Sequence, residues 1–458
     1  MSDSPSRQPN PRQPASRQSV RTGVAPRLYD LLVHLFGIDP PVRLVAWDGS
    51  VAGSVDGPVV RVHSRRAVRR LLWAPGELGL ARAYVAGELE IEGDLVTGLR
   101  TLADYGALVG SRPQLRPSDR REVLRTAVLV GAVGPAPKPP EEEQPQRASS
   151  PRGVRERVAS DLPADGGLEL LEDVLGPSLA YSSAHWGAED RAGDRADGTG
   201  SGTSPDLGGA QRRKLDVICD RLGLRPGARL LDLGCGWGPL LVHAVVERGV
   251  QAVGLVRSAD RVEVVRRRLE AAGVAGRADV RLGDVEAVED GPYDAVAIVE
   301  SVEHVDEPDL LALVARVQQL LRPGGRLVLQ AITARPGDGT GGPTFMSSYV
   351  MPGGPLPPVG TVVGTLEDAG LEVRLLESWR EHYVATMGAW LDRLDADPDR
   401  AERVLGARRL RVWRLSLALG AVGFERGRIG LHHLLAVRPH ADGHSGMLAR
   451  AGHPGAPP

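Results

Sequence analysis

Between Gln211 and Ala331, apolar strands and amphipathic helices alternate with little between them, and that rhythm restricts the chain to few folds. Helical patterns over 211–223, 238–248, 258–272 and 307–321 are interleaved with short apolar runs over 228–233, 250–256, 277–282, 293–299 and 325–331. Strands joined through helices pair in parallel, and the helices cover both faces of the sheet. The first run ends in "ARLLDLGCGWG", so Gly234, Gly236 and Gly238 fall between the end of strand one and a helix N-terminus. In such sheets a ligand approaches bare backbone at the carboxyl end of the strand.

The glycine spacing departs from the G-x-G-x-x-G of dinucleotide sites. Asp232, just ahead of the glycines, would sit badly beside a pyrophosphate. It suits a ligand with an amino group, such as the methionine end of S-adenosylmethionine (SAM). Asp284 in "RLGDVEAV" ends the third strand, where a carboxylate can accept from an adenine amino group. The order and spacing resemble a class I SAM-dependent methyltransferase, which implies a Rossmann-like α/β domain with a seven-stranded sheet.

The rest of the 458 residues leaves room for a second domain. A Pro/Ser/Arg-rich tail over 1–25 precedes a smaller α+β domain over 26–130, in which "LYDLLVHLFGI" reads as helix. "VRLVAWDGSVAGSV" with "VVRVHSRRAVRRLLWA" reads as strand, turn, strand, and "LGLARAYVAGELEIEGDL" as a helix before an acidic turn. A Pro-rich linker over 131–160 leads to the methyltransferase domain over 161–440, with an insertion loop over 191–210 and a flexible tail over 441–458. A net charge of −2 argues against binding nucleic acid through bulk charge. Two cysteines cannot build a disulfide framework, no Cys/His cluster has metal-ligand spacing, and no apolar run is long enough to span a bilayer. The expectation is a cytoplasmic protein.

Several further segments, over about 175–436, resemble the cyclopropane-fatty-acyl-phospholipid synthase family, which includes the mycolic acid cyclopropane synthases. "LAYSSAHW" (179–186) stands where that family has a Tyr-Ser-Cys-x-Tyr/Phe-Trp-like motif, and "GCGWG" carries its Trp237. "VESVEHV", "SYVMPGGPLP" and "HYVATMGAWLDRL" resemble its Phe-Glu-His-Val, Tyr-Ile-Phe-Pro-Gly-Gly and tyrosine-helix segments. The resemblance implies methyl transfer to the cis double bond of an unsaturated acyl chain on a membrane phospholipid. An alkene is a weak nucleophile, so the methyl donor must be held in line with it. The cation that results needs a dry, aromatic site and a base.

By the same resemblance, Glu303, Tyr383, Ser183 and Gln330 occupy the catalytic positions. Tyr181, Ser182, Asp232, Gly234, Gly236, Trp237, Gly238 and Asp284 occupy the cofactor positions. The family holds bicarbonate as its base through a Cys, a Glu, a His and a Tyr. Here Ser183 replaces the Cys and Gln330 the His, which puts bicarbonate binding in question, because an amide cannot titrate or carry charge. Arg261 likewise stands where the family often has Gln. These departures point toward a methylene or methyl branch rather than a cyclopropane, with Glu303 or Glu189 as base. The implied partners are a phospholipid, the inner face of the cell membrane, a homodimer mate and a reductase for a methylene product. A soluble small-molecule acceptor is the competing reading for an enzyme, and a scaffold that has lost its chemistry is the third.

Overall fold

Two residues after a strand that ends at Val62, the Ser64 hydroxyl accepts from Arg66 N–H and begins a helix, so the chain there turns helical instead of extending. The computed structural model describes residues 23–109, 116–144, 166–187, 206–303, 305, 307–335, 344–351 and 355–447. The first elements are α1 (Val24–Phe36), β1 (Arg43–Ala46), β2 (Val51–Gly53), β3 (Val59–Val62), α2 (Arg65–Trp73), α3 (Glu77–Val85), β4 (Leu89–Glu92), α4 (Leu95–Val109) and α5 (Pro117–Leu129). The chain divides into two units, residues 1–76 with 87–137 and residues 77–86 with 138–458.

In the first unit four strands run in the order β2-β1-β3-β4, with β1 parallel to β3 and the other pairs antiparallel. The sequence reading of a strand through 59–74 is corrected here: only Val59–Val62 is extended. Arg70 lies on the inner face of α2, and its buried guanidinium meets Glu88 at 2.8 and 3.2 Å. The expected acidic turn after α3 is instead a strand, because Leu89 and Ile91 pair with Val62 and Val60. Helix α3 groups with the second unit, as do residues 138–144 of the expected linker, where Gln144 N–H donates to Ser348 O at 2.8 Å.

The second unit continues with α6 (Gly167–Leu175), α7 (Leu207–Leu222), β5 (Arg229–Leu233), α8 (Pro239–Arg248), β6 (Gln251–Val256), α9 (Ala259–Ala271), β7 (Ala278–Leu282), β8 (Tyr293–Val299), α10 (Glu307–Leu320) and β9 (Leu321–Ala334). A π-helical turn (Met346–Val350) precedes α11 (Val359–Asp368), β10 (Glu372–Ser378), α12 (Arg380–Leu394), α13 (Pro398–Leu405), α14 (Ala407–Glu425) and β11 (Ile429–Val437). The sheet order is β10-β11-β9-β8-β5-β6-β7. The strands β5 to β9 are parallel, as the helix–strand alternation predicts, while β11 enters antiparallel between β9 and β10.

Successive strand residues face opposite sides. Leu230, Ala252 and Val280 pack with α7, α8 and α9, whereas Leu231, Leu255 and Val296 pack with α10 and α11. Helix α14, basic at its start, buries Leu410, Trp413, Leu417 and Phe424 against α12 and belongs to the core. Among the described residues no helix is long and apolar enough to cross a membrane.

Candidate active site

The carboxyl ends of β5, β6 and β8 open onto a cavity of about 670 Å³, within the range of small-molecule sites. Gly234 and Gly236 form one wall, whereas Gly238, expected beside them, does not line the cavity and backs onto Val265 of α9; all three are in left-handed backbone (φ 75°, 57° and 78°) that strains any other residue. A Cβ on Gly234 would lie 2.7 Å from Ser301 Cβ, while Gly236 faces open space. Asp232 is buried and accepts no hydrogen bond among the described residues; burial pushes its carboxyl up to about 7. Lys214 on α7 is fully buried and donates to Ser182 Oγ at 2.7 Å. Burial lowers its ammonium to about 8, opposed by the charges of Glu300 and Asp232.

Trp237 lies in the same wall, with the Arg261 guanidinium 5.1 Å over its ring. Arg261 Nε is a buried donor with no partner among the described residues. Asp284 lines the cavity, but Arg257 grips its carboxylate, with Nε 3.1 Å from both oxygens and the second nitrogen 2.6 Å from one. A ligand bearing both an ammonium and a carboxylate fits this end. The ammonium would satisfy Asp232, and Lys214 keeps two N–H groups beyond the one given to Ser182. The methionine end of SAM has that pair of charges.

Residues 179–186 cross the cavity as a strap that buried side chains hold in place. Gln211 Nε2 donates to Ala180 O and Ser182 O at 3.3 and 3.0 Å, and Thr386 Oγ1 accepts from Ala184 N–H and Trp186 Nε1 at 3.0 and 2.9 Å. Tyr181 and Ser182 line the cavity. Ser183 does not: its hydroxyl donates to Ala184 O at 3.0 Å, and its contribution is its N–H.

That N–H points to Glu300, which the sequence reading passed over. Glu300 follows β8 with φ 48°, a left-handed conformation unusual for a residue with a side chain. Its carboxylate accepts from Ser183 N–H at 2.9 Å, from Gln330 Nε2 at 2.6 Å and from the Tyr383 hydroxyl. Burial raises its pKa; these three donors and the Lys214 charge oppose the rise. Three of the four expected catalytic residues therefore gather on Glu300, Gln330 and Tyr383 through their side chains and Ser183 through its backbone N–H. The fourth, Glu303, also lines the cavity but accepts from Ile332 N–H at 3.2 Å. Gln330 stands behind Glu300 and does not line the cavity. Glu189 lies outside the described residues.

The remaining wall is apolar and aromatic. Tyr181 stacks on Trp390 (centroids 5.3 Å apart, 15° between planes), and Tyr383 meets the same indole edge-on at 6.2 Å. Met346, Met351 and Met387, three of five methionines in the chain, line it with Val350 and Leu417. Unbranched, polarisable side chains adapt to a flexible apolar guest. One signal in the sequence did point to Glu300: two glutamates three apart in "VESVEHV", the first directly after a strand.

The sequence model of the mycolic acid cyclopropane synthetase family matches residues 159–434. A probable fatty acid methyltransferase of Mycobacterium tuberculosis is 32% identical over 425 residues, covering 90% of this chain and 94% of its own. A tuberculostearic acid methyltransferase of the same organism is 30% identical over 406 residues, covering 87% and 88%. The crystal structure of the mycolic acid cyclopropane synthase CmaA1, complexed with SAH and CTAB, superposes with a TM-score of 0.53 at 25% identity, over 59% of this chain and 94% of its own. The chain belongs to the mycolic acid cyclopropane synthetase family and is a SAM-dependent methyltransferase of the cyclopropane synthase type.

Proposed function

We propose that this enzyme transfers a methyl group from SAM to the cis double bond of an unsaturated acyl chain carried on a membrane phospholipid, and that Glu300 is the base. The observation that carries this reading is a part-buried carboxylate with three donors, set in a wall of aromatic and methionine side chains. Asp232, Lys214, Ser182 and the glycine wall would hold the methionine end of SAM. SAM supplies an electrophilic methyl, so that a C–C bond forms at one alkene carbon as the C–S bond breaks.

The acyl chain is then a carbocation, and the faces of Tyr181, Tyr383 and Trp390 stabilise it without offering a nucleophile. Glu300, its pKa raised by burial, is the stronger base for that and takes the proton the cation must lose. Ser183 N–H, Gln330 and Tyr383, the groups that would otherwise hold a small anion, are already spent on Glu300. This supports a protein carboxylate in place of bicarbonate. A hydride shift to the neighbouring cationic carbon, followed by loss of a proton from the new methyl, leaves a methylene branch. A separate reductase would convert it to a methyl branch. Support comes from two relatives spanning about nine-tenths of this chain that are named as methyltransferases.

The proposal includes peripheral attachment at the inner face of the membrane. In the first unit, Trp73 on α2 and Leu124 and Val128 on α5 are more than 60% exposed, and Arg120 lines the same surface hollow as Trp73 and Leu124, with Arg121 exposed next to it in sequence. An indole and aliphatic groups rimmed by arginine suit an anionic lipid surface.

The test is incubation of the purified protein with SAM and either oleoyl-phosphatidylglycerol vesicles or a panel of soluble amines, phenols and acids. A vesicle fatty acid one carbon heavier supports the proposal. Methylation confined to the soluble panel contradicts it.

A further inference from the structure

His433 lies on β11 with no exposed surface, outside the cavity, and plays no part in the chemistry described so far. Yet the sheet register aligns Val299, Gln330 and His433 across β8, β9 and β11. Gln330 Nε2 reaches Glu300 at 2.6 Å, and Gln330 Oε1 lies 3.2 Å from His433 Nδ1. An ionised carboxylate only accepts, so the amide must turn its NH2 toward Glu300 and its oxygen toward His433. His433 must then carry its proton on Nδ1. Its Nε2 is buried with no hydrogen-bond partner among the described residues, the better place for a lone pair than for a proton.

We infer that His433 is a positioning residue for the base: its Nδ1–H fixes the Gln330 amide so that the amide always donates to Glu300. The inference deepens the proposed function and rests on the reading of Glu300 as the base. Without that anchor the amide can turn over and present its oxygen to the carboxylate, which replaces an attraction with a repulsion. The ring is held flat on Trp379 at 4.3 Å and 22°, so the donor cannot swing away.

The charged and titratable surroundings keep His433 neutral. Arg221 from α7 lies 5.4 Å over the other partner of the stack, Trp379, and is paired with Glu377, the neighbour of His433 on β10. His185 from the strap and His382 from α12 stack on each other beside Trp379. Burial, then Arg221 and His185, hold His433 well below the ordinary histidine range. Around Glu300 the facing groups are Lys214 from α7 and Tyr383 from α12. That lowering favours the neutral imidazole, which keeps one ring proton for the Gln330 amide.

Two variants separate the hydrogen bond from the stack. H433F keeps an aromatic ring on Trp379 and removes the donor; H433N gives up the ring and offers an amide N–H near the Nδ1 position. The readouts are the acidic limb of the pH–rate profile for lipid methylation and a carbon-13 titration of the Glu300 carboxyl in cofactor-free protein, assigned by its loss in E300Q. Removing a donor from a carboxylate raises its pKa, so H433F is expected to move both upward by about one pH unit. H433N is expected to hold both within a few tenths of a unit of wild type. A Glu300 titration unmoved in H433F, or moved further in H433N than in H433F, overturns the inference. The carboxyl titration needs no turnover, so it decides the matter even where lipid methylation by the wild-type enzyme fails to appear and the proposed function falls.

Discussion

The two ends of the cavity are built differently. At the cofactor end Asp232, Gly234, Gly236, Trp237 and Gly238 fall within seven consecutive residues, and one strand–turn–helix passage places them all. At the acyl end Ser183, Glu300, Gln330 and Tyr383 come from a strap, the end of β8, β9 and α12, and meet only because the sheet and α12 bring them together. Local chain geometry protects the first arrangement. The second can change partners one residue at a time, and here a carboxylate occupies the point where the donors converge.

That contrast predicts where substitutions act. The largest effect is expected for E300Q, which keeps shape but removes the proposed base: lipid methylation should fall about 10²–10⁴-fold, the usual contribution of a general base, while SAH affinity measured by calorimetry changes little. D232N should do the reverse, weakening SAH by about 30-fold or more, as loss of one partner in a buried charge pair does. An equal loss of SAH affinity in both variants would erase the distinction between the two ends.

A finer test uses protons. With its carboxyl raised to about 7 by burial, Asp232 is largely protonated at pH 6. An arriving ammonium favours the charged form, so SAH binding at pH 6 should release close to one proton, and the release should fall as pH rises through about 7. Calorimetry in buffers of different ionisation enthalpy reads this number, and D232N should abolish it. The sign also fixes a stability trend. A carboxyl raised in the folded state favours folding below its unfolded value and loses that contribution as pH rises through about 7. The ligand-free enzyme should therefore melt lower at pH 8 than at pH 5.5 by an amount that D232N reduces.

The smallest expected effect is on the membrane. Reversing Arg120 and Arg121 to glutamate should weaken sedimentation with anionic vesicles by about fivefold or more per residue, since each arginine near such a surface contributes about 1 kcal/mol. Neutral phosphatidylcholine vesicles should show little difference, and SAH binding should not change.

Much of the fold was legible because period and punctuation agree along 211–331: strands β5 to β9 and the helices between them lie within a few residues of where the sequence puts them. The antiparallel entry of β11 left no local mark, since an apolar run reads alike in either direction. In the first unit, "HSRRAVRRLLWA" follows a strand with no Pro or Gly, and only the Ser64 cap and the inward-facing Arg70 show the change to helix. The cofactor end was legible for the reason given above. Asp284 was placed on the cavity, but its hold by Arg257 required the fold. Glu300 was hidden by a better-known neighbour: Glu303 carries the family pattern, and nothing in the string reveals that Ser183 N–H and Gln330 Nε2 aim three residues earlier. His433 lies one register pair from Gln330 across 103 residues of sequence, a pairing that only the antiparallel entry of β11 creates.

The measurement that bears most directly on this account is fatty acid analysis of a bacterium whose phospholipids contain oleate but no cyclopropane, expressing either the wild-type enzyme or E300Q. Gas chromatography with mass spectrometry of the methyl esters is expected to show a methylene-branched acid one carbon longer than oleate with the wild type, and unaltered oleate with E300Q. Cyclopropane acid from the wild type, or the same yield of any product from E300Q, would contradict the assignment of Glu300 as the base that directs the reaction.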